Sequence, residues 1–122
     1  WRDVDLAENT ITVRSICSKT GGVRHVEIFQ PLKKRLAPQK SEQKICPKNW
    51  QSKWRKIRDA SGFCGSWVQD VLRHTYASYF AKRFADLPRL QLNMGHSNLT
   101  LLRSRYVNLS VLSVASAKSF FN

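Results

Sequence analysis

Leu72-Arg73-His74-Thr75-Tyr76-Ala77-Ser78 organises the rest of this chain. It sits inside a run with Val68, Val71, Leu72, Tyr76, Tyr79, Phe80 and Phe84 spaced at 3.6 residues, which predicts one long helix with a buried face. Ser66-Trp67-Val68-Gln69 has the form of a capping box and predicts the start of that helix. The helix runs to about Ala85. Arg73 is carried on it, three residues after Asp70. As an isolated charge Arg73 reads as a solvated arginine paired with Asp70 at i,i+3. Tyr76 and Tyr79 fall on the apolar stripe and read as core.

Downstream the pattern stays helical. Asp86 can cap a helix with Pro88 in its first turn, and Gly95 stops it. Met94-Gly95-His96-Ser97 then places a histidine just past a helix end. A further helix from Leu101 to about Asn108 holds Tyr106 just after two basic residues, Arg103 and Arg105. Ser113 can cap a last helix that ends at Phe120 and Phe121. That tail is rich in apolar residues and must bury its face, on its own domain or on a second copy.

Upstream the pattern changes. Residues 1–6, Thr10–Arg14 and Val23–Phe29 alternate and are rich in β-branched residues, which predicts three short antiparallel strands. Ala7-Glu8-Asn9 and Ser18-Lys19-Thr20-Gly21-Gly22 are the turns between them. Pro31 opens a short helical piece with Leu32 and Leu36 on one face. Residues 37–48 read as a loop. Lys48–Ser61 predicts a helix with Trp50, Trp54 and Ile57 on one stripe and Gly62 as its stop. The fold class is therefore α+β, mainly α, with a small three-stranded antiparallel sheet (about residues 1–29) followed by a helical bundle (about 31–121).

Composition narrows the partner. Twenty-one Lys plus Arg against eight Asp plus Glu leave +13 on 122 residues. Such a chain binds polyanions through phosphate contacts and counterion release. At 42% hydrophobic and 24% charged it is globular, and its length suits a single modest core. The longest apolar runs are too short to span a bilayer, so no membrane partner is expected. Cys17, Cys46 and Cys64 form no Cys-x-x-Cys pair. His25, His74 and His96 stand at no metal-ligand spacing, so no metal site is expected. The cysteines read as buried or half-buried free thiols.

Arg73, His96 and Tyr106 together are a phosphate-handling set. A guanidinium forks onto two phosphate oxygens. An imidazole donates or passes a proton near neutral pH. A phenol oxygen can form a covalent intermediate. The order and wording of these motifs resemble the catalytic domain of the tyrosine recombinases, the phage-integrase family. Leu72-Arg73-His74-Thr75 is similar to the family's leucine-arginine-histidine-threonine motif, and Met94-Gly95-His96-Ser97 to its leucine-glycine-histidine-serine signature. Tyr106 stands at the family's nucleophile spacing after His96. Ser18-Lys19-Thr20-Gly21-Gly22 matches the hairpin that carries the family's mobile lysine.

The resemblance implies site-specific recombination or integration of double-stranded DNA through a 3′-phosphotyrosyl intermediate. It implies Tyr106 as nucleophile, Arg73 and His96 as stabilisers of the pentacoordinate phosphorane, and Lys19 as the acid that protonates the leaving 5′ oxygen. Lys19, Arg73, Arg103 and Arg105 would contact DNA, and His74 would be structural. No cofactor or metal is implied. The whole enzyme would assemble as a homo-oligomer, a tetramer on DNA, in the cytoplasm of a bacterium, near the nucleoid. Two departures stand out. The family usually has a histidine where this chain has Asp70, which could orient Arg73 or accept the tyrosine proton. Trp1-Arg2-Asp3-Val4-Asp5 corresponds to the strand that follows the family's first arginine. The 122 residues would thus be about two-thirds of a catalytic domain, without that arginine. The alternative reading is a DNA-binding fragment that does not cleave.

Overall fold

The computed structural model describes residues 1–18, 21–41, 44–63, 65–106 and 111–122, with only the backbone course for residues 101 and 104–106. Three short strands, β1 (Val4–Asp5), β2 (Thr10–Val13) and β3 (Arg24–Glu27), form an antiparallel sheet in the order β1-β2-β3. The register pairs Val4 with Ile11, Ile11 with Val26 and Val13 with Arg24. The first strand is shorter than its alternation predicts. Asp5 ends it, because its Oδ1 accepts from the amides of Ala7 and Glu8, both at 2.9 Å, and so turns the chain. Asn9 completes the turn with a φ of 56°.

The helices are α1 (Gln30–Leu36), α2 (Trp50–Ala60), α3 (Val71–Phe84), α4 (Leu87–Met94), α5 (Leu99–Tyr106) and α6 (Val114–Phe121). Their ends follow local chemistry. Pro31 lies in the first turn of α1. Asp86 caps α4 by accepting from the Arg89 amide at 3.0 Å. Gly95 closes α4 in the left-handed region with φ 66°. Ser113 caps α6 through the Ser116 amide at 3.0 Å.

Helix α3 differs from the sequence expectation at its start. It begins at Val71 and not near Trp67, and no side chain caps it. Asp70 adopts φ 57°, which breaks the chain direction between the Val68–Val71 turn and the helix. Val68 and Leu72, read as core, are consequently 62% and 61% exposed. Helix α5 starts at Leu99, two residues before the expected Leu101, and Asn108 lies outside the described residues.

The core collects on the opposite side of α3. Ala77 and Phe80 of α3, Leu90 of α4 and Leu102 of α5 are fully buried, and Phe121 of α6 is 6% exposed. Phe29 stacks on Phe84 at 5.5 Å and meets Phe121 at 4.6 Å between ring centroids. Tyr79 packs on Phe120 at 4.5 Å. The apolar tail therefore closes on its own domain. Cys17 and Cys46 are exposed, a correction to the expectation of sheltered thiols, because Cys17 ends a short 3-10 turn and Cys46 lies in a loop, both outside this core. Cys64 lies outside the described residues. No helix among them is long and apolar enough to cross a membrane.

Candidate phosphate-handling site

The site is built where the end of α4 turns beside α3. Gly95 lets the chain reverse, and the turn is held at both ends of one residue. The His96 amide donates to the Gln91 carbonyl at 3.2 Å, and Gln91 Nε2 donates to the His96 carbonyl at 3.0 Å. Arg73 reaches this turn from the third residue of α3. Its Nη2 donates to the Met94 carbonyl at 2.7 Å and lies 2.9 Å from His96 Nε2. A guanidinium has only donors, so Nε2 is the acceptor in this contact and the ring proton belongs on Nδ1. Arg73 is thus aimed at His96 and away from Asp70. The i,i+3 pair read from the sequence does not form among the described residues: Asp70 is exposed and enters none of their ion pairs.

A polar network locks the sheet to this corner. Arg89 grips Glu27 of β3 through two bonds of 2.7 Å, and its guanidinium lies 5.1 Å from the Phe84 ring centroid. Hydrogen bonding to Glu27 raises the Arg89 pKa. Asn93, buried on α4, accepts from the Glu27 amide at 3.3 Å and donates to the Tyr76 hydroxyl at 3.3 Å. Burial first, then the charge of Glu27, pushes Tyr76 from 10.0 to about 12. Tyr76 therefore stays a neutral phenol, the opposite of what a nucleophile needs. Beside it a mainly apolar cleft of about 920 Å³ opens between β3, α1 and α6, with Arg73 at its wall.

The other site residues predicted from the sequence are placed as follows. Arg103 is exposed on α5. Tyr106 is the last residue of α5 and Arg105 precedes it; their side chains lie outside the description. Lys19 lies outside the described residues. His74, on α3, is half-buried. Among the described residues no group of three or more His, Cys, Asp or Glu could hold a metal ion.

One residue was missed from the sequence. Arg24, the first residue of β3, lays its guanidinium on Gly95: a Cβ there would come within 2.7 Å of Arg24 Cζ. No local pattern marks that approach. Only the alternation of β3, which sends Arg24 and Val26 to one face, could have suggested it.

A family model described as the phage integrase family matches residues 24–112, beginning at Arg24 itself and covering most of the chain. Lys19 precedes that range and α6 follows it. Neither a search of curated proteins nor one of solved structures returned a match.

Proposed function

The chain belongs to the phage integrase family, the tyrosine recombinases, and from that premise we propose that it carries part of a catalytic domain that cuts and rejoins double-stranded DNA through a phosphotyrosyl link. The observation that carries this reading is the contact of Arg73 with His96 at 2.9 Å on one glycine turn. Two residues from separate segments converge where a phosphate oxygen can replace His96 as the acceptor of Arg73.

In this mechanism Tyr106 Oη forms a bond to the scissile phosphorus. The bond to the 5′ oxygen breaks, and Lys19 protonates that oxygen as it leaves. A 3′-phosphotyrosyl ester remains. Arg73 and His96 stabilise the charge that builds on the nonbridging oxygens. Arrival of the phosphate releases His96 Nε2 from Arg73, which leaves the imidazole able to accept the tyrosine proton or to donate to the phosphate. Attack by a second 5′ hydroxyl reverses the chemistry and reseals the strand. Bond energy is conserved in the ester, so the cycle uses no nucleotide cofactor. Exclusion supports Tyr106 as nucleophile: the other two tyrosines are spent on the core, Tyr76 with a pKa near 12 and Tyr79 against Phe120. Arg103 and Arg105, just before it in sequence, serve as phosphate contacts. Assembly on DNA as a homo-oligomer in the bacterial cytoplasm belongs to the same reading.

The test is covalent trapping. The protein is incubated with a pool of nicked duplexes, in which the cleaved end diffuses away and the adduct survives denaturing electrophoresis. In the full-length protein the wild type yields a nuclease-sensitive adduct, Tyr106→Phe yields none, and both bind duplex equally. An adduct that persists in Tyr106→Phe overturns the assignment. Binding without any adduct in the wild type selects the alternative, a DNA-holding segment that does not cleave.

A further inference from the structure

We propose that Arg24 is a second phosphodiester-binding group of this site, supplied by the sheet to the same turn that Arg73 holds from α3. The proposal rests on reading Arg73 and His96 as phosphate-handling residues. Its own observation is the state of the Arg24 side chain. The guanidinium lies flat against Gly95, where a built Cβ would meet Cζ at 2.7 Å and Nε and Nη1 at 2.8 Å. Its Nε is buried and has no hydrogen-bond partner. Arg24 takes part in none of the ion pairs among the described residues, which are Arg2 and Arg14 with Asp3 and Arg89 with Glu27.

An arginine cannot escape this position by losing its proton. A buried donor without an acceptor is costly, and native structures rarely tolerate one without a reason. The nearest carboxylate in sequence, Glu27, is on the opposite face of β3 and is already held at both oxygens by Arg89. Arg24 therefore brings a guanidinium with a buried, unpartnered Nε beside Met94-Gly95-His96. Arg73 donates to the first residue of that turn and contacts the last, and Arg24 covers the middle one. Two guanidinium groups and an imidazole on three consecutive residues suit an anion with several oxygens on one centre. A phosphodiester fits, with one nonbridging oxygen for each arginine. Glycine at position 95 is then required twice, for its left-handed φ of 66° and because a side chain would displace Arg24.

The test reads the two arginines separately and does not depend on cleavage. The 122-residue chain, labelled with ¹⁵N-arginine, is titrated with dithymidine monophosphate while the Nε–H signals are followed by NMR. Arg24→Lys and Arg73→Lys assign the two signals. Both are expected to shift with one common dissociation constant. Arg24→Lys is expected to weaken binding about 3- to 10-fold with an unchanged thermal melt, and the uncharged methylphosphonate analogue is expected to move neither signal. If the Arg73 signal shifts and the Arg24 signal does not, Arg24 only props the turn and the proposal falls. It falls equally if neither signal shifts, or if the analogue acts like the diester. Through-bond side-chain assignment of the uniformly ¹³C,¹⁵N-labelled wild type identifies both signals even if a variant fails to fold. A chain that forms the Tyr106 adduct while Arg24 stays silent would overturn this proposal and leave the function standing. Shifts at both arginines with no adduct would do the reverse.

Discussion

Helices α2 and α3 both carry an apolar stripe at helical spacing, yet only α3 is built into the core. Ala77, Phe80 and Ala81 of α3 are buried, whereas α2 has no buried residue. The stripe of α2 covers itself. Trp50 stacks on Trp54 at 5.7 Å, Trp54 meets Trp67 edge-on at 5.5 Å, and Ile57 is left 54% exposed. The stripe of α3 meets α4, α5 and α6 and is sealed by Phe29 and Phe121. Periodicity thus specifies a helix and a face. It does not supply the second surface that burial needs. The helix that has that surface is also the one that carries Arg73, so the candidate site stands on the most rigidly packed part of the chain.

The sharpest way to break this comparison is at its strong end. Phe80→Ala removes a fully buried ring that touches Phe29, Phe84 and Phe121. It should cost about 3–5 kcal/mol of stability in urea titration. A cost below about 1 kcal/mol would mean that α3 is no better anchored than α2.

The joint between core and site comes next. Gly95→Ala places a Cβ in a left-handed residue, which costs about 1–2 kcal/mol. The contact with Arg24 is with the end of a flexible side chain, so that chain gives way and the fold survives. The expected outcome is a modest loss of stability with a displaced Arg24, seen as a shifted Nε–H signal. An unshifted signal would show that Arg24 does not rest on this turn.

The smallest effect belongs to the weak end. Trp54→Ala deletes the middle ring of three partly exposed indoles, and aromatic pairs of this kind contribute about 0.5–1.5 kcal/mol. The cost should stay in that range, with the signals of Arg73 and His96 unmoved. If Trp54→Ala destabilised the chain as much as Phe80→Ala, the two helices would belong to one cooperative core.

Much of the architecture was legible because it is decided within a few residues. Asp86, Pro88 and Gly95 mark α4 through a cap, a fixed φ and a left-handed stop, and Ser113 marks α6 in the same way. The three strands and their order followed from alternation and turn residues. The start of α3 was misread because a capping-box pattern at Ser66–Gln69 is only a local option. The left-handed Asp70 ends that option, and Val68 and Leu72 turn outward. In the site, Arg73 and His96 were legible as members of one motif set, whereas their direct contact and the place of Arg24 were not, since nothing near Arg24 in sequence refers to Gly95.

Element types, most helix ends, the basic character and the family to which the motifs point are written in the order of the residues. Each of these is set by short-range chemistry: a capping oxygen, a proline φ, a glycine at positive φ, a repeat of apolar spacing. The tertiary structure alone decided which amphipathic face became the core, that Arg73 abandons Asp70 for a histidine 23 residues away, and that Arg24 lies on Gly95. The physical reason is that a long side chain has many local rotamers, and only packed neighbours from distant segments leave it one.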